Sequence, residues 1–479
     1  MTSDARPTPP DALQPTLDTL RAAWQARRPD AAQRRDDLAR LRAALQRRLD
    51  EMATAIAADF GHRSRQESLI ADGMSVLTEI DRLRRSLRGW MQPRRIGAGL
   101  KLWPARAQLR PVPLGVVGVI APWNYPVNLA LIPLATAIAA GNHVYLKPSE
   151  HTPRTSAFLV SLLAEVFPPD RVAVACGDSD IGAAFAGLPF DHLVFTGSTA
   201  VGRKVMAAAA AHLTPLTLEL GGKSPAIVCP GHPLDKAAAR LVTGKLFNAG
   251  QTCIAPDYVL LPRGSETAFG EAFARAVATL FPTIIGNPDY AAIISPRHLE
   301  RLQALLAQAE GEGARLQAVQ PDTAGMAGVA AASRQMAPVL VFDLPAGSKL
   351  LSEEIFGPIL PVIPYTAIDE AIRYVNARPR PLALYWFGTD TGSRDHVLAR
   401  TVSGGVTVND TLMHIAHENL PFGGVGDSGW GAYHGETGFL RLSQQKPVML
   451  QSKWARGDLF YPPYGKRFEQ VMGLLKRLI

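Results

Sequence analysis

The sequence predicts an α/β protein: two doubly wound α/β units with an arm leaving the main body. Three observations carry this. The chain has 479 residues, more than one ordinary core holds, so two or three domains are expected. From Gly115 onward, short apolar β-rich runs alternate with helical stretches, the pattern of a parallel sheet covered on both faces. Two stretches rich in Gly, Pro and aromatic residues flank the alternation, one near residue 95 and one after Asp410.

In chain order, residues 1–15 are rich in Pro, Ala, Asp and Thr and read as a loose arm with no charged-then-apolar leader. Leu38, Leu41, Leu45, Leu49, Met52 and Ile56 recur at helical spacing, and so do Met74, Leu77, Ile80, Leu83, Leu87 and Met91. Two long amphipathic helices are therefore predicted. Pro93, Gly97, Gly99 and Pro104 then break the period, which suggests an arm leaving the main body. Strands follow at 115–121, 144–147, 172–175, 193–195 and 216–220, with helices at 126–140, 153–166, 181–188 and 200–211. A second block has strands at 226–228, 258–261, 339–342, 359–363, 382–387 and 405–408. Its helices are at 234–247, 266–280, 296–309, 368–377 and 393–401. Ligands on such sheets sit beyond the carboxyl ends of the strands.

The formal net charge of +8 raises a nucleic-acid reading, but much of it lies before residue 111 on helical stretches, where arginines form a solvated face. No nucleic-acid-binding motif accompanies it, so no such partner is expected. Three cysteines argue against a disulfide framework and for a reducing, cytoplasmic setting. No run reaches the roughly 18 apolar residues of a membrane span. Residues 468–479 form a short basic amphipathic pattern, suited to docking on its own protein or to peripheral membrane contact.

The chemistry centres on two segments. Asn248-Ala249-Gly250-Gln251-Thr252-Cys253 puts a thiol on a turn whose backbone N–H groups could stabilise a thiolate. Leu218-Glu219-Leu220-Gly221-Gly222-Lys223 ends an apolar run on a carboxylate followed by paired glycines. An attacking thiol and a carboxylate that later activates water are the two parts of a covalent thioester mechanism. Cys176 and Cys229 close strand-like runs and read as packing residues. Taken singly, Asn124 reads as a turn or cap residue, Glu219 as an exposed strand-end charge and Lys147 as a surface lysine.

Six motifs in order change those readings: Pro122-Trp123-Asn124-Tyr125-Pro126, Leu146-Lys147-Pro148-Ser149-Glu150, the 195–202 segment from Phe195 to Gly202, the Glu219 and Cys253 segments, and Glu353-Glu354-Ile355-Phe356-Gly357-Pro358. Through them the chain, from about residue 30 to 450, resembles the aldehyde dehydrogenase superfamily. Asn124-Tyr125-Pro126, Ala255-Pro256-Asp257-Tyr258 and the 420–426 segment resemble its class 3, fatty-aldehyde and coniferyl-aldehyde branch. The resemblance implies a dinucleotide-binding domain at 1–91 and 114–220 and a catalytic domain at 221–404. It further implies a bridging region at 92–113 and 430–460, an amphipathic tail at 461–479, and a homodimer formed by sheet extension.

It also implies the site. Cys253 attacks the aldehyde, Asn124 and the Cys253 N–H hold the oxyanion, and Glu219 activates water. No Gly-x-Gly-x-x-Gly follows the first strand. Instead Gly197, Ser198 and Gly202 open a helix whose N-terminus favours a pyrophosphate. Lys147 and Glu150 bind the adenosine ribose, Glu354 binds the nicotinamide ribose, and Phe356 lies against the nicotinamide. Glu150 near the ribose 2′ position favours NAD, with NADP left open. Tyr125, Ile254, Met413 and His417 are substrate-pocket candidates by position. His414 and His417 lack a surrounding ligand set, so no metal is predicted. Two rivals to hydrolytic aldehyde oxidation are a coenzyme-A-acylating relative, which Glu219 argues against, and a catalytically silent homologue, which retention of Cys253, Glu219, Asn124 and Glu354 argues against.

Overall fold

The computed structural model describes residues 6–99, 102–319, 333–455 and 461–478. The expected loose arm is overturned for residues 6–15, while residues 1–5 lie outside the described ones. Leu13–Ala26 is a helix whose Leu13, Leu17, Leu20 and Trp24 form a buried stripe. Three of these join a core cluster with Val116, Ile120 and Tyr145 of the first sheet. Spacing of four, three and four residues is the helical signal that the proline-rich start obscured. The predicted 38–56 helix is two helices, Ala31–Arg47 and Leu49–Phe60. Arg48 breaks them at φ −113 and ψ 21, while the apolar stripe continues across the break. A short Arg65–Ser68 turn and a wide turn at Leu69–Met74 then lead into the helix Ser75–Trp90.

An exposed arm follows, with strands β1 (Arg94–Ile96) and β2 (Arg106–Pro113). The first sheet takes β3 (Val116–Ile120), β4 (His143–Lys147), β5 (Val172–Val174), β6 (His192–Thr196) and β7 (Leu216–Glu219). The second takes β8 (Pro225–Val228), β9 (Tyr258–Pro262), β10 (Arg315–Ala318), β11 (Val339–Phe342), β12 (Ile359–Tyr365), β13 (Ala383–Phe387) and β14 (Gly405–Val408). Finally β15 (Gly429–Trp430) returns to the first sheet and β16 (Ser443–Leu450) to the arm.

Among the described residues the orders are β15-β7-β6-β3-β4-β5, β10-β11-β12-β9-β8-β13-β14 and β1-β2-β16. The first two sheets are parallel apart from β15 and β10 at their edges. Every residue of β3, β4 and β6 is buried, as strands covered on both faces require. β10 escaped the sequence reading because Arg315-Leu316-Gln317-Ala318 is an edge strand with little apolar character. β16 pairs antiparallel with the whole of β2, from Ser443↔Pro113 to Leu450↔Arg106. Residues 430–442 lead from β15 to β16. There the Trp430 indole and the Arg441 guanidinium both donate to the Leu216 carbonyl, at 3.2 and 2.7 Å.

Candidate active site

A cleft of about 560 Å³ runs between the two parallel sheets. The first sheet lines it from its carboxyl edge, with Trp123 and Asn124 after β3, Gly197 and Ser198 after β6, and Glu219 to Lys223 at the end of β7. The second sheet lines it from the opposite, amino edge, with Cys253 before β9, Glu354 and Phe356 before β12, and Arg380 before β13. The carboxyl-edge rule thus holds for one sheet only. The physical reason is the short link from β7 to β8, which turns the amino edge of the second sheet toward the carboxyl edge of the first.

Cys253 is half-buried and carries a free thiol. Helix Leu234–Leu246 ends in a tight turn in which Asn248 and Ala249 adopt left-handed φ values of 53 and 51. Gly250 follows at φ +78, where an added Cβ would sit 2.4 Å from the Gly357 carbonyl oxygen, so only glycine fits. The Gln251 side chain pins the turn: its amide donates to the carbonyls of Asn248 and Ala292, both at 3.0 Å, and its oxygen accepts from Ile294 N–H at 2.9 Å. The expected thiolate stabilisation is reversed in sum. Burial, then the Glu354 and Glu219 carboxyls, push the Cys253 thiol up to about 12, against the opposing pull of the Cys253 and Ile254 N–H groups.

Asn124 is buried, and its side-chain amide donates to the Gln251 carbonyl at 3.1 Å. That bond uses one amide hydrogen and orients the other. Glu219 ends β7 almost wholly buried, with its carbonyl accepting from Gly197 N–H at 3.0 Å. Neither carboxyl oxygen has a hydrogen-bond partner, and burial pushes this group well above the usual carboxylate range. Burial without a hydrogen-bond partner favours the neutral form of such a carboxyl.

Glu354 is pushed up to about 7, first by burial and then by Asp257, against the Gly222 N–H, Lys223 and Arg301. Its loop is tied down. Lys223 pairs with Asp257, Asp257 accepts from Ile355 N–H at 3.1 Å, and Arg301 donates to the carbonyls of Ile355 and Glu354 at 2.8 and 2.5 Å. Phe356 sits at φ 53 and meets the Trp123 ring edge-on, with centroids 5.3 Å apart.

Ser198 caps helix Thr199–Ala210 by accepting from Val201 N–H at 3.4 Å. A Cβ on Gly202 would approach a Leu220 methyl to 2.6 Å, so glycine lets this helix lie close to β7. Lys147 is buried at the end of β4, outside the cleft lining, and donates to Glu150 at 3.0 Å. Burial would raise Glu150, but its own backbone N–H and Lys147 outweigh that and hold it below its ordinary value.

Of the substrate candidates, Tyr125 and Ile254 are core residues and Met413 and His417 are exposed; none of the four lines this cleft. Tyr125 bonds Thr252 through its hydroxyl, and the Ile254 carbonyl accepts from Tyr385. His414 is buried, with Nδ1 against the Thr407 hydroxyl at 2.9 Å, while His417 accepts from Asn419 N–H. Sequence reasoning missed Arg203, His298, Arg301 and Asp427, all of which line the cleft. Arg203 was findable, one turn after Thr199 on the helix that opens at Ser198. Asp427 pairs with it at 2.7 Å from a distant loop, and His298 meets the Trp123 ring edge-on with centroids 5.1 Å apart. Neither contact leaves a local sequence signal.

Residues 13–448 match the aldehyde dehydrogenase family. A probable coniferyl aldehyde dehydrogenase of Pseudomonas aeruginosa is 48% identical over 453 residues, covering 94% of each chain. Aldehyde dehydrogenase family 3 member B1 of Rattus norvegicus is 39% identical over 466 residues, covering 96% of this chain and 97% of its own. A substrate-bound structure of Staphylococcus aureus AldH superposes with a TM-score of 0.90 at 33% identity, covering 96% of this chain and 99% of its own. Fold, family match and relatives agree, and the chain belongs to the aldehyde dehydrogenase family as an oxidoreductase that oxidises aldehydes with a nicotinamide cofactor.

Proposed function

We propose that the chain oxidises aromatic or aliphatic aldehydes, with coniferyl aldehyde or a close relative as the preferred class, to the free acid through a thioester on Cys253. The convergence of Cys253, Asn124 and Glu219 on one cleft is the observation that carries this reading. The Cys253 thiolate, its proton released to solvent, bonds through Sγ to the aldehyde carbon, and the carbonyl oxygen takes up the negative charge. The free Asn124 amide hydrogen and the Cys253 N–H hold that oxyanion. A bound nicotinamide supplies the two-electron acceptor for the aldehyde hydrogen. Glu219 then takes a proton from water, whose oxygen bonds to the acyl carbon as the C–S bond breaks and the acid leaves.

The residues present fit such a cofactor. The capped N-terminus of helix Thr199–Ala210 suits a pyrophosphate, with Gly197, Ser198 and Gly202 permitting close approach. Glu354 and Phe356 would hold the nicotinamide ribose and ring, and Lys147 and Glu150 the adenosine ribose. Glu150 supports NAD over NADP. The division into a cofactor domain (1–91, 114–220), a catalytic domain (221–404) and a bridging region (92–113, 430–460) is proposed with it. The exposed β1-β2-β16 sheet, with Trp103 and Trp454 uncovered nearby, supports a homodimer. Free cysteines support a cytoplasmic setting.

The test is NAD(P)H formation over octanal, dodecanal, benzaldehyde and coniferyl aldehyde with each cofactor. Highest kcat/KM for coniferyl aldehyde with NAD is expected; a long-chain alkanal or NADP ahead by more than about tenfold, roughly 1.4 kcal/mol, would reverse that part of the reading. Asn124→Ala is expected to lower kcat by about 10²–10³, the usual cost of one oxyanion donor, with KM for NAD unchanged in steady-state assays.

A further inference from the structure

Glu67, half-buried on the short helix Arg65–Ser68, has no part in the steps above, yet it reaches the nucleophile turn. Its two carboxyl oxygens lie 3.3 and 3.2 Å from the backbone N–H of Asn248, which donates to them. Asn248 and Ala249 hold left-handed backbone conformations, which non-glycine residues keep only when surrounding contacts overrule local preference. A carboxylate on a backbone N–H is a charge-assisted bond, stronger than a neutral one.

The network continues to the oxyanion donor. Asn248 Nδ2 donates to the carbonyls of Asn124 and Gln251, at 3.0 and 3.3 Å. Asn124 Nδ2 donates to the same Gln251 carbonyl, and Arg63 donates to the Asn124 carbonyl at 2.9 Å. Arg63 pairs in turn with Asp72 at 3.4 Å, and Asp72 accepts from the N–H groups of Val127 and Asn128 at the start of the helix after Asn124. The turn bearing Cys253 and the segment bearing Asn124 are thus tied to each other and to one carboxylate.

We propose that Glu67 is a positioning residue whose ionised carboxylate, by gripping the Asn248 N–H, holds the Cys253 turn in register with the Asn124 amide. This rests on the roles proposed above for Cys253 and Asn124. Glu67 does not line the cleft, so cofactor binding should not depend on it. Burial pushes its carboxyl up to about 7, with Arg63 and the Asn248 N–H pulling it down and Asp289 pushing it up. The neutral phenols of Tyr125 and Tyr290 also face it. Between pH 8.5 and pH 6, the range over which that group gains its proton, the grip should therefore weaken.

The experiment compares the pre-steady-state burst of NADH in the full-length enzyme and its Glu67→Gln variant. At pH 8.5 the variant burst should be about tenfold slower, the scale of a small misplacement of reacting groups, with Kd for NAD unchanged. The ratio of the two rates should narrow toward one at pH 6, where both side chains present an uncharged acceptor; groups common to both proteins cancel in the ratio. A ratio of one throughout, or a loss constant with pH, overturns the proposal. Should the Gln variant melt early, Glu67→Asp keeps the titrating group, and a pH-independent loss there overturns it equally. Cys253→Ala separates the two levels of inference: NADH formation surviving in it defeats the mechanism itself, whereas a silent Cys253→Ala with an unaltered Glu67→Gln defeats only the role of Glu67.

Discussion

Cys253→Ala is expected to eliminate aldehyde-dependent NADH formation, a fall in kcat of at least about 10⁴, because the thioester needs a thiol and no other cysteine among the described residues lines the cleft. The other two cysteines offer no substitute. Cys176 and Cys229 are both buried, Cys229 within a core cluster, and burial pushes both thiols above their ordinary value. Stability should change little, since Cys253 is half-buried at a cleft wall and the turn is held by Gln251 and Asn248. An unchanged Tm and retained NAD binding would show that the loss is chemical. NADH formation within tenfold of wild type would refute covalent catalysis at this position. The thiol also has a pH signature. Because burial and the Glu354 and Glu219 carboxyls hold it up near 12, its thiolate fraction in the cofactor-free protein should rise about tenfold per pH unit across pH 7–9. Iodoacetamide alkylation of Cys253 should follow that slope; a plateau below pH 8 would mean that the backbone N–H groups outweigh burial.

The alternating block from Gly115 was legible because parallel strands buried on both faces are apolar through their centres, as Val116–Ile120 and the 193–195 run are. Where one face is wet the signal fades, and Arg315–Ala318 went unread. The helix Leu13–Ala26 was hidden for a different reason: composition at the chain start outvoted a stripe of three leucines and a tryptophan that only its partner strands make meaningful. At the site, Cys253, Glu219 and Asn124 were each ambiguous alone and became specific as an ordered set. Contacts made across long sequence separations left no trace. Arg203 with Asp427, His298 with Trp123, and Glu67 with Asn248 join distant segments, and nothing local marks the pairing even where one partner stands in a motif.

Glu219→Gln separates the two halves of the reaction. Acylation needs Cys253 and the oxyanion donors, so the first equivalent of NADH should still appear as a burst. Deacylation needs a base for water, so steady-state turnover should fall by about 10²–10⁴, the range for loss of a positioned general base. The sign of the pH dependence follows from burial. Glu219 has no hydrogen-bond partner and is held well above the ordinary carboxylate range, so it is protonated and inactive as a base at low pH. Wild-type deacylation should therefore climb as pH rises toward the raised value, and the Gln variant, with nothing to titrate there, should lose that climb. The same variant tests the coenzyme-A-acylating rival. If water is the natural acceptor, quenched samples should contain acyl-enzyme at Cys253 and, with coenzyme A present, the wild-type enzyme should still release free acid. If coenzyme A is the natural acceptor, acyl-CoA should form at wild-type rates even in Glu219→Gln, because a thiol resolves the thioester without the help that water requires.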